Sequence, residues 1–87
     1  MYDVYIIESL QVGDWYKGFT EDYEKRFIQH NNGESTFTST KRPCKLIFVQ
    51  VFTSKQLALQ QEKKLKHCNR KYLQWLIHQR INLLLDV

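Results

Sequence analysis

The chain has 87 residues, 43 % hydrophobic and 25 % charged, with a formal net charge of +4. That length supports one core and leaves no room for a separate cofactor domain, so one domain over residues 1–87 is expected. No apolar run approaches the ~18 residues of a membrane helix, no signal peptide opens the chain, and Cys44 and Cys68 form neither a CxxC pair nor a metal cluster; these features predict a cytoplasmic protein with reduced thiols and no membrane partner.

In chain order, "YDVYIIE" (2–8) is rich in β-branched and aromatic residues and reads as a strand, with Val4 and Ile6 facing one way and Tyr5 and Ile7 the other. "SLQVGD" (9–14) is a turn. "WYKGFT" (15–20) is a second strand, with Tyr16 and Gly18 on one face and Trp15, Lys17 and Phe19 on the other. The two make a hairpin. A helix follows, capped by Thr20 or Asp22, with Tyr23, Phe27 and His30 at helical spacing and "NNG" (31–33) as its stop.

"ESTFTSTKRP" (34–43) is a polar loop suited to phosphate contacts. "CKLIFVQVF" (44–52) is apolar on both faces, the pattern of a central strand covered on both sides. Ser54 caps a helix over 55–67. Residues 69–87 predict a last helix, with Leu73, Leu76, Ile77, Arg80, Ile81 and Leu84 along one stripe. The expected fold is α+β: a three-stranded, mostly antiparallel sheet flanked by helices, in the order β-β-α-β-α-α.

Charge is unevenly spread. Residues 1–40 carry three Lys or Arg against seven acids, whereas Lys41 to Lys71 holds nine Lys or Arg and a single acid, Glu62. A basic segment of this kind suits a polyanion, and a solvated lysine-rich helix face has the same composition. Glu62 shares a helix face with Ala58 and Leu65, so it points toward the packed side. A carboxylate there needs a counter-charge: a divalent cation, or a salt bridge to Lys41, Lys63 or Lys66.

Taken together, "DVY" (3–5), "YKG" (16–18), "EKRFIQHNNG" (24–33), "KRPCKLIFVQVF" (41–52) and "ALQQEKKLK" (58–66) resemble the GIY-YIG nuclease superfamily. The similarity is to small single-domain members related to the N-terminal nuclease domain of the UvrC repair protein, and it runs from about residue 2 to about residue 77. The separate dipeptides are weak signals; the ordered set is specific. "DVY" lacks the leading Gly-Ile of the first signature, and Lys17 replaces the middle Ile of the second. The extra Asn that some members carry after the metal helix has only Asn69 as a weak counterpart.

The resemblance implies a metal-dependent endonuclease acting on DNA, with a place in repair or recombination. Tyr5, Tyr16, Arg26, His30 and Glu62 are the implied catalytic set. Glu62 would hold one Mg²⁺ or Mn²⁺, and Arg26 would neutralise the phosphate. Tyr5, with His30, would activate the attacking water; a phenol beside an Arg and a metal-bound water can have a lowered pKa. Tyr16 would orient the water. Gly18 inside a strand marks a close approach. Lys41, Arg42, Lys45, Lys63, Lys66, Arg70 and Lys71 would contact the nucleic-acid backbone.

Each residue also has a plainer structural reading: aromatic packing for Tyr5 and Tyr16, a pair with Asp22 for Arg26, a helix C-cap for His30. Two other functions fit the same chain. One is a nucleic-acid-binding module without chemistry. The other is a protein-interaction domain using "INLLLDV" (81–87). No second module is present to read sequence, so specificity is absent or borrowed from a partner protein.

Overall fold

The alternation of side chains along the first strand sets the layering. In the computed structural model, which describes residues 1–34 and 42–84, the elements are β1 (Tyr2–Ser9), β2 (Trp15–Thr20), α1 (Tyr23–Asn31), β3 (Cys44–Phe52), α2 (Lys55–His67) and α3 (Arg70–Leu76). The fold is α+β in the expected order. Val4 and Ile6 of β1 pack with Phe48 beneath Ala58 and Leu65 of α2 and Leu73 and Leu76 of α3. Tyr5 and Ile7 emerge on the opposite face with Val49 and Cys44, and there meet Tyr23 and Phe27 of α1. Neither Cys44 nor Cys68 is in a disulfide.

Local chemistry explains the element ends. In the β1–β2 turn Ser9 Oγ accepts from the N–H groups of Gln11 and Val12, both at 3.2 Å, and Gly13 takes a φ of +79°. Asp22 is the N-cap of α1: its carboxylate accepts from Lys25 N–H at 3.1 Å. Asp3, 5 % exposed, accepts from Tyr23 N–H at 3.1 Å and ties the start of α1 to the sheet. Ser54 caps α2 and Asn69 caps α3, accepting from Leu57 and Tyr72 N–H respectively. Asn69 is thereby placed as a helix cap.

Two expectations need correction. The sheet order is β2-β1-β3, both pairs antiparallel, so the central strand is β1 and the doubly apolar β3 lies at an edge. Its composition reflects cover on both faces, Phe48 against α2 and α3 and Val49 against the α1 side. Secondly, the last helix ends at Leu76 instead of running to the C-terminus. Residues beyond it turn back along the open edge of β3. Asn82, 3 % exposed, accepts there from Val49 N–H at 3.1 Å and donates through Nδ2 to Ile47 O at 3.0 Å and Ile77 O at 2.9 Å. Leu83 N–H donates to Val49 O at 2.7 Å.

Satisfying the free backbone groups of an edge strand outweighs the helical periodicity of residues 77–84. In consequence Ile81 and Leu84, expected on the packed stripe, are 46 % and 39 % exposed. Asn82→Ala is expected to cost about 2 kcal/mol in urea unfolding, because it leaves several backbone groups without partners; an unchanged midpoint would show that water replaces the amide.

Candidate active site

The register of the hairpin builds the site. Tyr5 pairs with Gly18 and Ile7 with Tyr16, so the two phenols lie on one face of neighbouring strands. Their ring centroids are 6.3 Å apart. The missing side chain of Gly18 is what lets the Tyr5 ring lie across β2: a Cβ at residue 18 would overlap Tyr5 Cζ and Oη and come within 2.8 Å of Cε1. The close approach expected at this glycine is therefore made by Tyr5 itself.

From α1, Arg26 and His30 stand one turn apart and both reach the phenol. Tyr5 Oη lies 2.9 Å from His30 Nε2, and neither residue is more than 2 % exposed. The guanidinium of Arg26 donates to Gln29 Oε1 at 3.1 Å, and its charge acts on the Tyr5 and Tyr16 phenols. A phenol oxygen can both donate and accept, so the tautomer of His30 sets which way the Tyr5–His30 hydrogen bond runs. The His30 ring also sits edge-on to Tyr16, at 5.2 Å between centroids. The helix C-cap reading of His30 and the Asp22 reading of Arg26 thus give way to the phenol contacts.

The electrostatics follow from burial. Burial, and then the positive charge of Arg26, push His30 down to about 4, so it is neutral at pH 7 and able to accept. Tyr5 is pushed up to about 12, chiefly by burial, with smaller effects from its neighbours; the Arg26 hydrogen bond opposes the shift and the Glu62 carboxylate adds to it. Here desolvation of a buried phenolate outweighs one guanidinium; the lowered value expected from the sequence refers to a phenol that also faces a metal-bound water. Arg26 is pushed up, first by its hydrogen bond to Tyr5.

A stability test follows for His30. Between pH 6.5 and about 4 the unfolded chain takes up a proton that the folded imidazole refuses. Its contribution is fully present above the unfolded value and is lost as the pH falls through that window, by about 3 kcal/mol in all. Urea unfolding of the wild type against His30→Gln from pH 4 to 7 should show a shallower slope in the variant. Parallel slopes would mean that His30 titrates normally.

Glu62 is half-buried on α2, between Ala58 and Leu65, both fully buried. Its effect on the Tyr5 phenol places its charge within electrostatic reach of the site. Lys66 Nζ is 3.7 Å from Glu62 Oε2, so the salt-bridge partner weighed from the sequence is present. Among the described residues no three His, Cys, Asp or Glu side chains group to hold a metal. Glu62 would contribute one carboxylate. That suits a hard cation which keeps most of its waters, as Mg²⁺ does, and does not suit a zinc cage.

The basic residues divide. Arg70 stacks 3.8 Å over the Trp15 ring, donates to Gly13 O at 2.9 Å and lies 3.6 Å from Glu8, so it is committed to the hairpin turn. Lys45 pairs with Glu8 at 3.9 Å. The Arg42 guanidinium lies over Gly33 at the end of α1. Lys63, Lys66 and Lys71 are exposed on α2 and α3. Lys41 and most of the polar loop lie outside the described residues.

Sequence reading missed three positioning residues. Asp3 holds the start of α1, Gln29 holds Arg26, and Asn31 clamps α1 to β3, accepting from Cys44 N–H at 2.7 Å and donating to Cys44 O at 3.1 Å. Asp3 carried a signal: it is an acid in an otherwise apolar half-strand. Asn31 was absorbed into the helix-stop pattern.

A three-stranded antiparallel sheet, with two phenols on one face and an Arg–His helix pair against them, is a fold of nuclease type. The model of the GIY-YIG catalytic domain matches residues 1–75, and the chain belongs to this family. Within it the chain is similar to UPF0213 proteins. It is 38 % identical over 69 residues to UPF0213 protein YazA of Bacillus subtilis, covering 78 % of this chain and 70 % of that one. The corresponding protein SSP2268 of Staphylococcus saprophyticus is 36 % identical over 69 residues, covering 78 % and 83 %. The solution NMR structure of UPF0213 protein BH0048 from Bacillus halodurans superposes with a TM-score of 0.60 at 31 % identity, covering 93 % of this chain and 87 % of that one. Nucleases of the family generally use divalent metals. No helix among the described residues is long and apolar enough to cross a membrane.

Proposed function

We propose that the protein is a metal-dependent endonuclease that hydrolyses phosphodiester bonds in DNA. The observation that carries this reading is the buried Tyr5–His30 hydrogen bond, with the Arg26 charge acting on the same phenol. Arg26 receives the scissile phosphate through its free N–H groups. The water oxygen forms the new P–O bond, and its proton passes to Tyr5 Oη as the phenol proton moves to His30 Nε2. The bond to the leaving oxygen breaks, that oxygen takes a proton from solvent water, and the imidazolium returns its proton to solvent.

Neutral His30 is a weak base, first because it is buried and then because of the Arg26 charge. An anionic phosphate on Arg26 offsets that charge and raises the basicity of His30 when substrate is present. Tyr16, on the same guanidinium, orients the water. Glu62 holds Mg²⁺ or Mn²⁺, which supplies polarisation of the phosphate when bound. Exposed Lys63, Lys66 and Lys71 supply backbone contacts, and Lys41, Arg42, Lys45 and Arg70 are further candidates. A cytoplasmic role in DNA repair or recombination fits this chemistry.

One observation favours a binding module without chemistry: Glu62 already has a cationic partner in Lys66. Nicking of supercoiled plasmid separates the two. Nicking with Mg²⁺ or Mn²⁺ that chelator abolishes supports the nuclease. DNA binding without nicking on plasmid, flap or branched substrates supports the module.

A further inference from the structure

Trp75 is 56 % exposed in a helix whose Leu73 and Leu76 are buried. It contributes little to the core, so its exposure asks for another role. It flanks a groove of about 580 Å³ between α2 and α3, lined by Gln61, Lys64, Tyr72, Trp75, Gln79 and Arg80 among others, with no acidic side chain in the lining. Tyr72 and Trp75 form a stepped aromatic pair, with centroids 5.6 Å apart and planes 36° apart. Lys64 Nζ sits 5.9 Å from the Tyr72 ring centre. Aromatic rings and two cations in one groove match the composition of a single strand of nucleic acid: π faces for bases and positive charge for phosphates. A duplex hides its base faces and has no use for an exposed indole.

We propose that this groove binds a single-stranded segment of nucleic acid, one base stacking on Trp75 while Lys64 and Arg80 contact its phosphates. Gln61 adjoins Glu62 in α2, so the groove borders the helix that bears the candidate metal carboxylate. The inference deepens the nuclease reading by naming the substrate class, a nucleic acid with a flap or an unpaired tail. Binding itself does not depend on cleavage.

The test is fluorescence anisotropy with labelled single-stranded and duplex oligonucleotides, in chelator so that nothing is cut, for wild type, Trp75→Ala and Trp75→Phe. Stacking at this site predicts about a tenfold loss of single-strand affinity in Trp75→Ala, substantial retention in Trp75→Phe and unchanged duplex binding. The thermal unfolding midpoint should be unaffected. Wild-type affinity in Trp75→Ala, equal losses for single strand and duplex, or no single-strand binding by the wild type would each overturn the proposal. So would a dimer-to-monomer shift in Trp75→Ala with oligonucleotide affinity unchanged, which would assign the groove to a second copy. Plasmid nicking run in parallel keeps the two readings apart. Trp75-dependent binding without nicking overturns only the nuclease, and nicking with Trp75-independent binding overturns only the groove.

Discussion

Replacing Glu62 by glutamine is expected to reduce metal-dependent nicking about a thousandfold, corresponding to about 4 kcal/mol of transition-state stabilisation. The amide keeps the shape of the side chain and removes the charge that a divalent cation needs. Among the described residues Glu62 pairs with Lys66, one helical turn away and 52 % exposed. Such pairs contribute about 0.5 kcal/mol or less, so the variant should unfold at nearly the wild-type urea concentration.

Lys66→Ala is the informative companion. If Glu62 serves only as the partner of Lys66, both substitutions should be equally mild. If it binds metal, Lys66→Ala removes a competing cation, and cation affinity should hold or rise. A readout independent of turnover is available at Tyr5, whose pKa the Glu62 charge helps to raise. A divalent cation bound to Glu62 should move the Tyr5 titration downward in the wild type and leave it unmoved in Glu62→Gln. Full nicking by Glu62→Gln would end the metal assignment.

Gly18→Ala should disable the site without touching any ionisable group. The added methyl overlaps the Tyr5 phenol, and that ring has little freedom to retreat: it is 2 % exposed and bonded to His30. Either the ring tilts away from His30 and Arg26 or the β1–β2 pairing opens. Overpacking of this kind costs about 1–3 kcal/mol of stability. Displacing a reacting oxygen by an ångström costs about a hundredfold in rate.

Tyr5→Phe keeps the ring and loses the oxygen, so it isolates the second effect. The rate losses in Gly18→Ala and Tyr5→Phe should fail to add in the double variant, because both remove the same oxygen from the same place. Additive losses would mean that Gly18 acts through something other than Tyr5.

Much of this protein follows from local rules. Alternation along 2–8 and 15–20 sets Tyr5 with Ile7 and Tyr16 with Gly18, because side chains alternate in any strand, while the pairing register decides that the two phenols share a face. The i, i+4 spacing of Arg26 and His30 puts both on one side of α1. Asp22 and Ser54 cap where caps are expected, because short polar side chains satisfy the first free N–H groups of a helix. A single acid inside a basic block marked Glu62 as needing a partner.

Tertiary contacts decided the rest. Apolar periodicity reports how many faces of a strand are covered, and does not report whether its edges are paired, so β3 reads as central while lying outermost. Residues 77–84 carry a helical pattern, but the open edge of β3 draws Asn82 and Leu83 onto its backbone groups. Spacing alone gives no pKa: the depth at which Tyr5 and His30 are buried raised one and lowered the other. Sequence patterns record each residue's local preferences. The meeting of Tyr5 with His30 is a property of two elements, β1 and α1, packed together, and no local pattern contains it.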